Sequence, residues 1–179
     1  LAISVVVGGY LRDLHIVDGR QDQIIIRDSS VTINADVLTA WDIITEAAGT
    51  AYAEASSIWA TQSDDAMALA RTTQGRLIYQ QNTGASTIAR SYDGANISVS
   101  PAGTSYQNAP QSLASTWGTA LTVYINGNPD ATPNAYNGTM GTGNLAIGSL
   151  NNSTKVWNGT IREVKIFDSE LTATEVADL

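Results

Sequence analysis

The sequence has no cysteine, which excludes a disulfide framework, thiolate metal sites and a cysteine nucleophile. Basic residues are scarce: 9 Lys+Arg stand against 17 Asp+Glu, for a formal net charge of −8 at pH 7. Without a basic cluster there is no counterion release to drive nucleic-acid binding, so nucleic acid is not an expected partner. His15 is the single imidazole; with no serine motif beside it and no second His or Cys, neither a Ser-His-Asp relay nor a usual zinc site can be assembled. No Gly-rich phosphate loop of the Gly-x-x-x-x-Gly-Lys type occurs. The longest apolar opening, Leu1–Val7, falls far short of the ~20 residues of a membrane span and lacks the basic start of a signal peptide. Membrane insertion is not expected, and because no initiator Met is present, residue 1 is expected to lie inside a longer or processed polypeptide.

What the sequence does have is a polar, weakly charged surface. Charged residues make up 15% of the 179 while Ser, Thr, Asn and Gln supply nearly a third, and the hydrophobic share of 43% is enough for one core of ordinary size. From Gln23 onward, short segments rich in β-branched and aromatic residues alternate with Gly, Asn, Asp and Pro, which predicts an all-β domain. Val31, Ile33, Ala35 and Val37 alternate with Thr32, Asn34 and Asp36; Leu121, Val123 and Ile125 alternate with Thr122, Tyr124 and Asn126. Both patterns read as strands with one buried face. Turns are expected at Gln74-Gly75, between Met67–Arg71 and Arg76–Gln80, and at Asn126-Gly127 and Asp93-Gly94, the last two with the positive-φ residues of a tight hairpin. In Ile161-Arg-Glu-Val164-Lys-Ile166 the apolar parity switches, predicting a bulge or a doubly buried, central strand. Asp42–Ser56, with Ala47, Ala48, Ala51, Ala53 and Ala55, reads as a short helix or a long loop. Thr172-Ala-Thr-Glu175 is a capping box for a short terminal helix.

Three stretches carry a resemblance. Leu14-His-Ile-Val-Asp18-Gly19-Arg-Gln-Asp22 through Ile24-Ile-Ile26 is similar to an opening strand pair in which a turn at Asp-Gly precedes an Asp and an aliphatic strand. Trp117-Gly-Thr-Ala-Leu121-Thr-Val-Tyr124-Ile-Asn126-Gly127 resembles a Trp-to-Asn-Gly hairpin. Leu145-Ala-Ile-Gly148, Trp157-Asn-Gly159-Thr-Ile161 and Leu171-Thr-Ala-Thr-Glu175-Val are similar to a closing strand and helix. Together they resemble the laminin G-like branch of the concanavalin A-like lectins and glucanases. The resemblance implies a jelly-roll sandwich of two antiparallel sheets with a short C-terminal helix over residues 14–179, preceded by an arm or linker, residues 1–13. It also implies core roles for Trp117 and Trp157, turn roles for Gly127 and Gly148, and a tether made by Leu171 and Val176.

The paired carboxylates of a glucanase of this fold have no counterpart. The five glutamates are Glu46, Glu54, Glu163, Glu170 and Glu175, and Asp64-Asp65 is the one adjacent acidic pair; neighbours on a strand face opposite ways and cannot work as a dyad. No catalysis is expected. Calcium is the one cofactor left open, since it needs only oxygen ligands, with Asp18 and Asp22 as candidate ligands and Asp93 behind them. Glycan binding needs aromatic faces beside amides, for which the candidates are Trp41, Tyr92, Tyr106, Asn108, Asn134 and Tyr136, with Trp59 and Asn137 as weaker additions. The expectation is a non-catalytic module on an extracellular or virion (phage capsid or tail) surface, whose partner is a glycan or neighbouring structural subunits. Two alternatives remain, an accessory carbohydrate-binding domain of a secreted polysaccharide-degrading enzyme and a divergent glycosidase.

Overall fold

The computed structural model describes residues 2–6, 23–25, 44, 46–57, 65–71, 75–82, 87–99, 109–138, 140, 145–149, 155, 157 and 159–179. These form β1 (Ala2–Val6), β2 (Gln23–Ile25), β3 (Gly49–Ser57), β4 (Asp65–Arg71), β5 (Arg76–Asn82), β6 (Thr87–Tyr92), β7 (Ile97–Val99), β8 (Gln111–Trp117), β9 (Ala120–Ile125), β10 (Asn128–Pro129), β11 (Asn134–Ala135), β12 (Leu145–Ile147), β13 (Gly159–Phe167) and α1 (Ala173–Ala177). The larger sheet runs β10-β9-β8-β3-β13-β1-β2 with β11 on β9; the smaller runs β12-β4-β5-β6-β7. All pairings are antiparallel except β1 with β2. The segment expected as an arm thus supplies β1, which lies along β13 with Val5 opposite Val164.

One core fills the space between the sheets. Ala51, Ala53, Ala55, Leu113, Trp117, Leu121, Val123, Ile125, Ile161, Val164 and Ile166 from the larger sheet meet Leu69, Leu77, Ile78, Ala89, Leu145 and Ile147 from the smaller. Alternation places each set on one face, so burial of these apolar groups drives the two sheets together. Trp117 and Trp157 are both buried, and the Trp157 indole donates to the Ser56 carbonyl at 3.0 Å, so its one polar atom is satisfied.

The Ala-rich segment is the main correction. Residues 49–57 are neither helix nor loop but β3, a strand at the centre of the larger sheet between β8 and β13. Helix propensity of alanine, a few tenths of a kcal/mol per residue, loses to tertiary packing. Ala51, Ala53 and Ala55 alternate inward, where their small size lets the sheets approach, while Tyr52 and Glu54 face outward.

Elsewhere the local chemistry behaves as expected. Asn126 (φ 49°) and Gly127 (φ 74°) make the tight turn from β9 to β10. Along β13 the register with β3 shifts between Ile161 and Glu163, with Arg162 the extra residue, and β13 lies between β3 and β1. The helix begins with the capping box: Thr172 Oγ1 accepts from the Glu175 N–H, and the Thr172 N–H donates to the Glu175 carboxylate. That box holds α1 on the outer face of the larger sheet, where Val176 and Leu171 cover Tyr52, Ala114 and Tyr124. The loop at Asp93 differs from the expected two-residue turn. It runs from Asp93 to Asn96, and of its residues Gly94 alone has positive φ, because the Asp93 carboxylate caps the turn itself. The expected strand at Val31–Val37 lies outside the described residues.

Candidate functional site

The site grows out of two irregularities in the smaller sheet. Between β5 and β6, Arg76 lies opposite Tyr92 and Tyr79 opposite Arg90, with a register shift between the two pairs. Leu77 and Ile78 together face Ser91, a bulge that sends both aliphatic side chains into the core and returns Tyr79 to the same outer face as Arg76. In β6, Arg90 and Tyr92 are two apart and share that face. Across β7, Tyr92 lies opposite Ile97 and Arg90 opposite Val99. The result is two rows across three strands: Arg76, Tyr92, Ile97 and Tyr79, Arg90, Val99.

The floor of this face is a small cluster of Ala70, Tyr79 and Ala146, with Tyr92 packed against it. Alanines on β4 and β12 keep the floor low beside the tyrosines. The Arg76 guanidinium stands 5.4 Å from the Tyr79 ring centroid and 5.7 Å from that of Tyr92, a cation held by two π-faces. The Tyr92 hydroxyl donates to the Gly94 carbonyl at 2.5 Å, which fixes its ring. Ile97 is 39% exposed and is the exposed large hydrophobic among the described residues. Arg90 is half-buried, and its Nε has no hydrogen-bond partner. The remaining polar rim is set by serine and aspartate: Ser91 Oγ donates to the Arg76 carbonyl and anchors the bulge from beneath.

A loop wall flanks β7. Asp93 accepts from the N–H groups of Ala95 (3.0 Å), Asn96 (2.6 Å) and Asn137 (3.0 Å) and from the Asn96 amide (3.4 Å). Burial pushes its pKa up, yet the three backbone N–H groups and the amide outweigh this and hold it below the ordinary carboxylate value. Asp130 accepts from Ser98 Oγ at 2.8 Å, from the Val99 N–H at 3.1 Å and from the Thr132 N–H at 3.0 Å. Both aspartates tie the segment following β10 to the edge of the smaller sheet.

These bonds decide what several expected residues do. Tyr92 stands on the candidate face. The Asn134 amide donates to the Ile97 carbonyl, and the Tyr136 hydroxyl donates to the Glu46 carbonyl at 2.5 Å while accepting from the Met140 N–H at 2.9 Å, so both brace loops around β7 and the core. Asp93 is unsuited to calcium, since both carboxylate oxygens already accept N–H groups. Among the described residues no three His, Asp or Glu side chains gather as a metal site. Asp18, Asp22, Trp41, Trp59, Asp64, Tyr106 and Asn108 lie outside the described residues. Arg76, Tyr79 and Arg90 are the residues that sequence reasoning missed. Their signal was present as charge: from Ala66 to Tyr92 there are three arginines and no carboxylate in a chain of net charge −8.

Four of the five glutamates hold parts of the fold together. Glu54 pairs with Arg162 at 2.7 Å and Glu163 with Lys165 at 3.2 Å on the outer face of the larger sheet. Glu170 caps the β8–β9 turn by accepting from the Thr119 and Ala120 N–H groups, and Glu175 belongs to the capping box.

Two antiparallel sheets face to face, closed by a short helix and bearing an aromatic and cationic patch on one outer face, define a lectin-type sandwich. The chain belongs to the concanavalin A-like lectin/glucanases superfamily, whose laminin G-like model matches residues 18–177. Comparison with curated proteins finds no match. Among solved structures, the chain is similar to a Trypanosoma rangeli sialidase in complex with 2,3-difluoro-KDN, with TM-score 0.57 and 16% identity over 74% of this chain and 22% of the sialidase. The NanB sialidase of Streptococcus pneumoniae gives TM-score 0.57 and 13% identity over 82% of this chain and 27% of that one. The CBM40 of the Ruminococcus gnavus IT-sialidase, bound to α2,3-sialyllactose, gives TM-score 0.56 and 12% identity over 83% of this chain and 94% of the module. The chain therefore spans about a quarter of the sialidases but nearly all of the isolated module.

Proposed function

We propose that the chain is a non-catalytic glycan-binding module, working outside the cell, that takes its sugar on the outer face of the smaller sheet. The observation that carries this is the row Arg76, Tyr92, Ile97. A fixed aromatic ring flanked by an exposed aliphatic side chain offers the flat apolar surface on which the C–H face of a pyranose packs, and the adjoining guanidinium supplies donors to its oxygens. The commitment of Glu54, Glu163, Glu170 and Glu175 to internal contacts supports a binding role over a glycosidase. The likeness in extent to a carbohydrate-binding module supports the same reading.

That the matching portion is a fraction of each sialidase chain favours a second, compatible reading: an accessory domain that delivers a larger enzyme to its polysaccharide. The reading as a subunit of a virion or other assembly gains no support from these neighbours and is not carried further. A glycan array with the 179-residue chain, run with calcium and with chelator, tests the proposal. We expect binding to at least one glycan class that drops on Tyr92→Ala. Silence under both conditions overturns it, and binding abolished by chelator assigns calcium a role at Asp18 and Asp22.

A further inference from the structure

We infer that Asn126 is a site of spontaneous covalent modification, at which the backbone nitrogen of Gly127 displaces the side-chain amide, and that the product loosens α1. The inference is independent of the glycan-binding reading and concerns the larger sheet.

Asn-Gly occurs at Asn126-Gly127, Asn137-Gly138 and Asn158-Gly159, and in each pair the missing Cβ leaves the nitrogen after the asparagine unhindered. The structure singles out the first. Asn126 is exposed, and its Oδ1 accepts the Ser112 N–H at 3.0 Å. A fixed N–H on that oxygen polarises the amide carbon and stabilises the charge that gathers there under attack. The Asn128 amide donates to the Asn126 peptide carbonyl at 3.1 Å, which draws electrons from the Gly127 nitrogen and eases loss of its proton. Among the described residues, neither the Gly127 N–H nor the Asn126 side-chain nitrogen has a hydrogen-bond partner. Nucleophile and leaving group are both free to react.

The Gly127 nitrogen gives up its proton to hydroxide and bonds to Asn126 Cγ; the Cγ–Nδ2 bond breaks, and Nδ2 leaves as ammonia after taking a proton from water. The cyclic imide that remains is opened by water at either carbonyl, so water is consumed, ammonia is released and nothing is oxidised. Opening at Cγ leaves an ordinary aspartyl residue. Opening at the former peptide carbonyl leaves an isoaspartyl residue, in which the main chain runs through the old side chain and is longer by a carbon. A two-residue turn cannot absorb that insertion, because Asn126 (φ 49°) and Gly127 (φ 74°) set Asn128 opposite Ile125. Close packing carries the change to the helix. A Cβ on Gly127 would stand 3.1 Å from the Cα and Cβ of Ala177, so a rebuilt turn displaces the end of α1 and lifts Val176 from Tyr52, Ala114 and Tyr124. The age of a molecule is thereby recorded as loss of helix docking.

The test is ageing of the 179-residue chain in mildly alkaline buffer, with peptide mapping and isoaspartyl detection at each Asn-Gly pair. Asn137 is the internal comparison, since Gly138 faces open space. Conversion at Asn126 should run at least about tenfold faster than at Asn137, a difference within reach of the hydrogen bonds on the reacting carbonyls. In urea, where those bonds are gone, the two rates should converge. Protease cleavage within Ala173–Ala177 should rise in step with the isoaspartyl fraction. Asn126→Gly keeps a residue suited to positive φ and should remove both the conversion and the age-dependent cleavage. Conversion at Asn126 that is slower in the folded chain than in urea overturns the inference, because the turn then protects the amide. Faster conversion at Asn137 or Asn158 overturns the assignment to Asn126, and conversion that leaves cleavage unchanged overturns the link to α1.

Discussion

At the scale of single residues, the tightest constraint is the meeting of Gly49 with Trp117. They are direct cross-strand partners, and a Cβ on Gly49 would stand 2.2 Å from the Trp117 ring, which is fully buried and has no room to withdraw. Gly49→Ala should therefore destabilise the fold by about 1–3 kcal/mol through overpacking, measured as a lower midpoint in urea. Combining it with Trp117→Leu should cost less than the sum of the two single changes. Asp93 makes a different prediction. Its folded pKa lies below the ordinary 3.8, so its contribution to stability is present above that value and is lost as pH falls through the folded pKa. Asp93→Asn should lower the melting temperature at pH 7, and the gap to the wild type should narrow in melts run below pH ~3.8. No narrowing would mean that the carboxylate charge plays no part.

Elements were legible where a local chemical signal matched their final state. The Asn126-Gly127 turn, the parity switch at Ile161 and Val164 and the Thr172 box each specify geometry within a few residues, and each is present. The Ala-rich β3 was misread because alanine is the best helix former, although Ala51, Ala53 and Ala55 also alternate as a strand requires; only the opposing sheet reveals which pattern wins. The candidate face was hidden for a related reason. Arg76 and Tyr79 are three apart, which on a regular strand puts them on opposite faces, and it takes the bulge at Leu77 and Ile78 to unite them. At this scale the terminal helix can be tested on its own. Thr172→Ala removes the side-chain acceptor of the first turn and should loosen α1, exposing Tyr52 and Tyr124. Tyr52, whose pKa is pushed up by burial and by the nearby Glu54 and Glu163 against the opposing Arg162, should then titrate nearer its ordinary value, as read by ultraviolet absorbance.

For the molecule as a whole, the division of labour between the two sheets is the main result. The larger sheet closes its outer face with α1 and with paired charges, while the smaller keeps aromatic and cationic groups on its own. The stacking of a sugar ring on Tyr92 and Ile97 that we propose is a contact at short range, which salt does not screen. Affinity for a glycan should therefore change little with added salt, far from the steep loss seen when many phosphates are neutralised. Titrations at two salt concentrations would check this, and a steep log-log slope would indicate a multivalent electrostatic site instead.

The bonds that Asp130 and Asn134 make to β7 carry a consequence for crowding. An outermost strand with free N–H and C=O groups is a template on which another chain can add itself. Here the Val99 N–H and the Ile97 carbonyl, which would otherwise offer that template, are occupied by side chains from the segment after β10. The carboxylate and amide thus act as a seal against polymerisation right beside the exposed Ile97, so that copies can crowd together without fusing sheet to sheet. Asp130→Ala should break that seal, so that light scattering from concentrated solutions rises with time while the wild type stays clear.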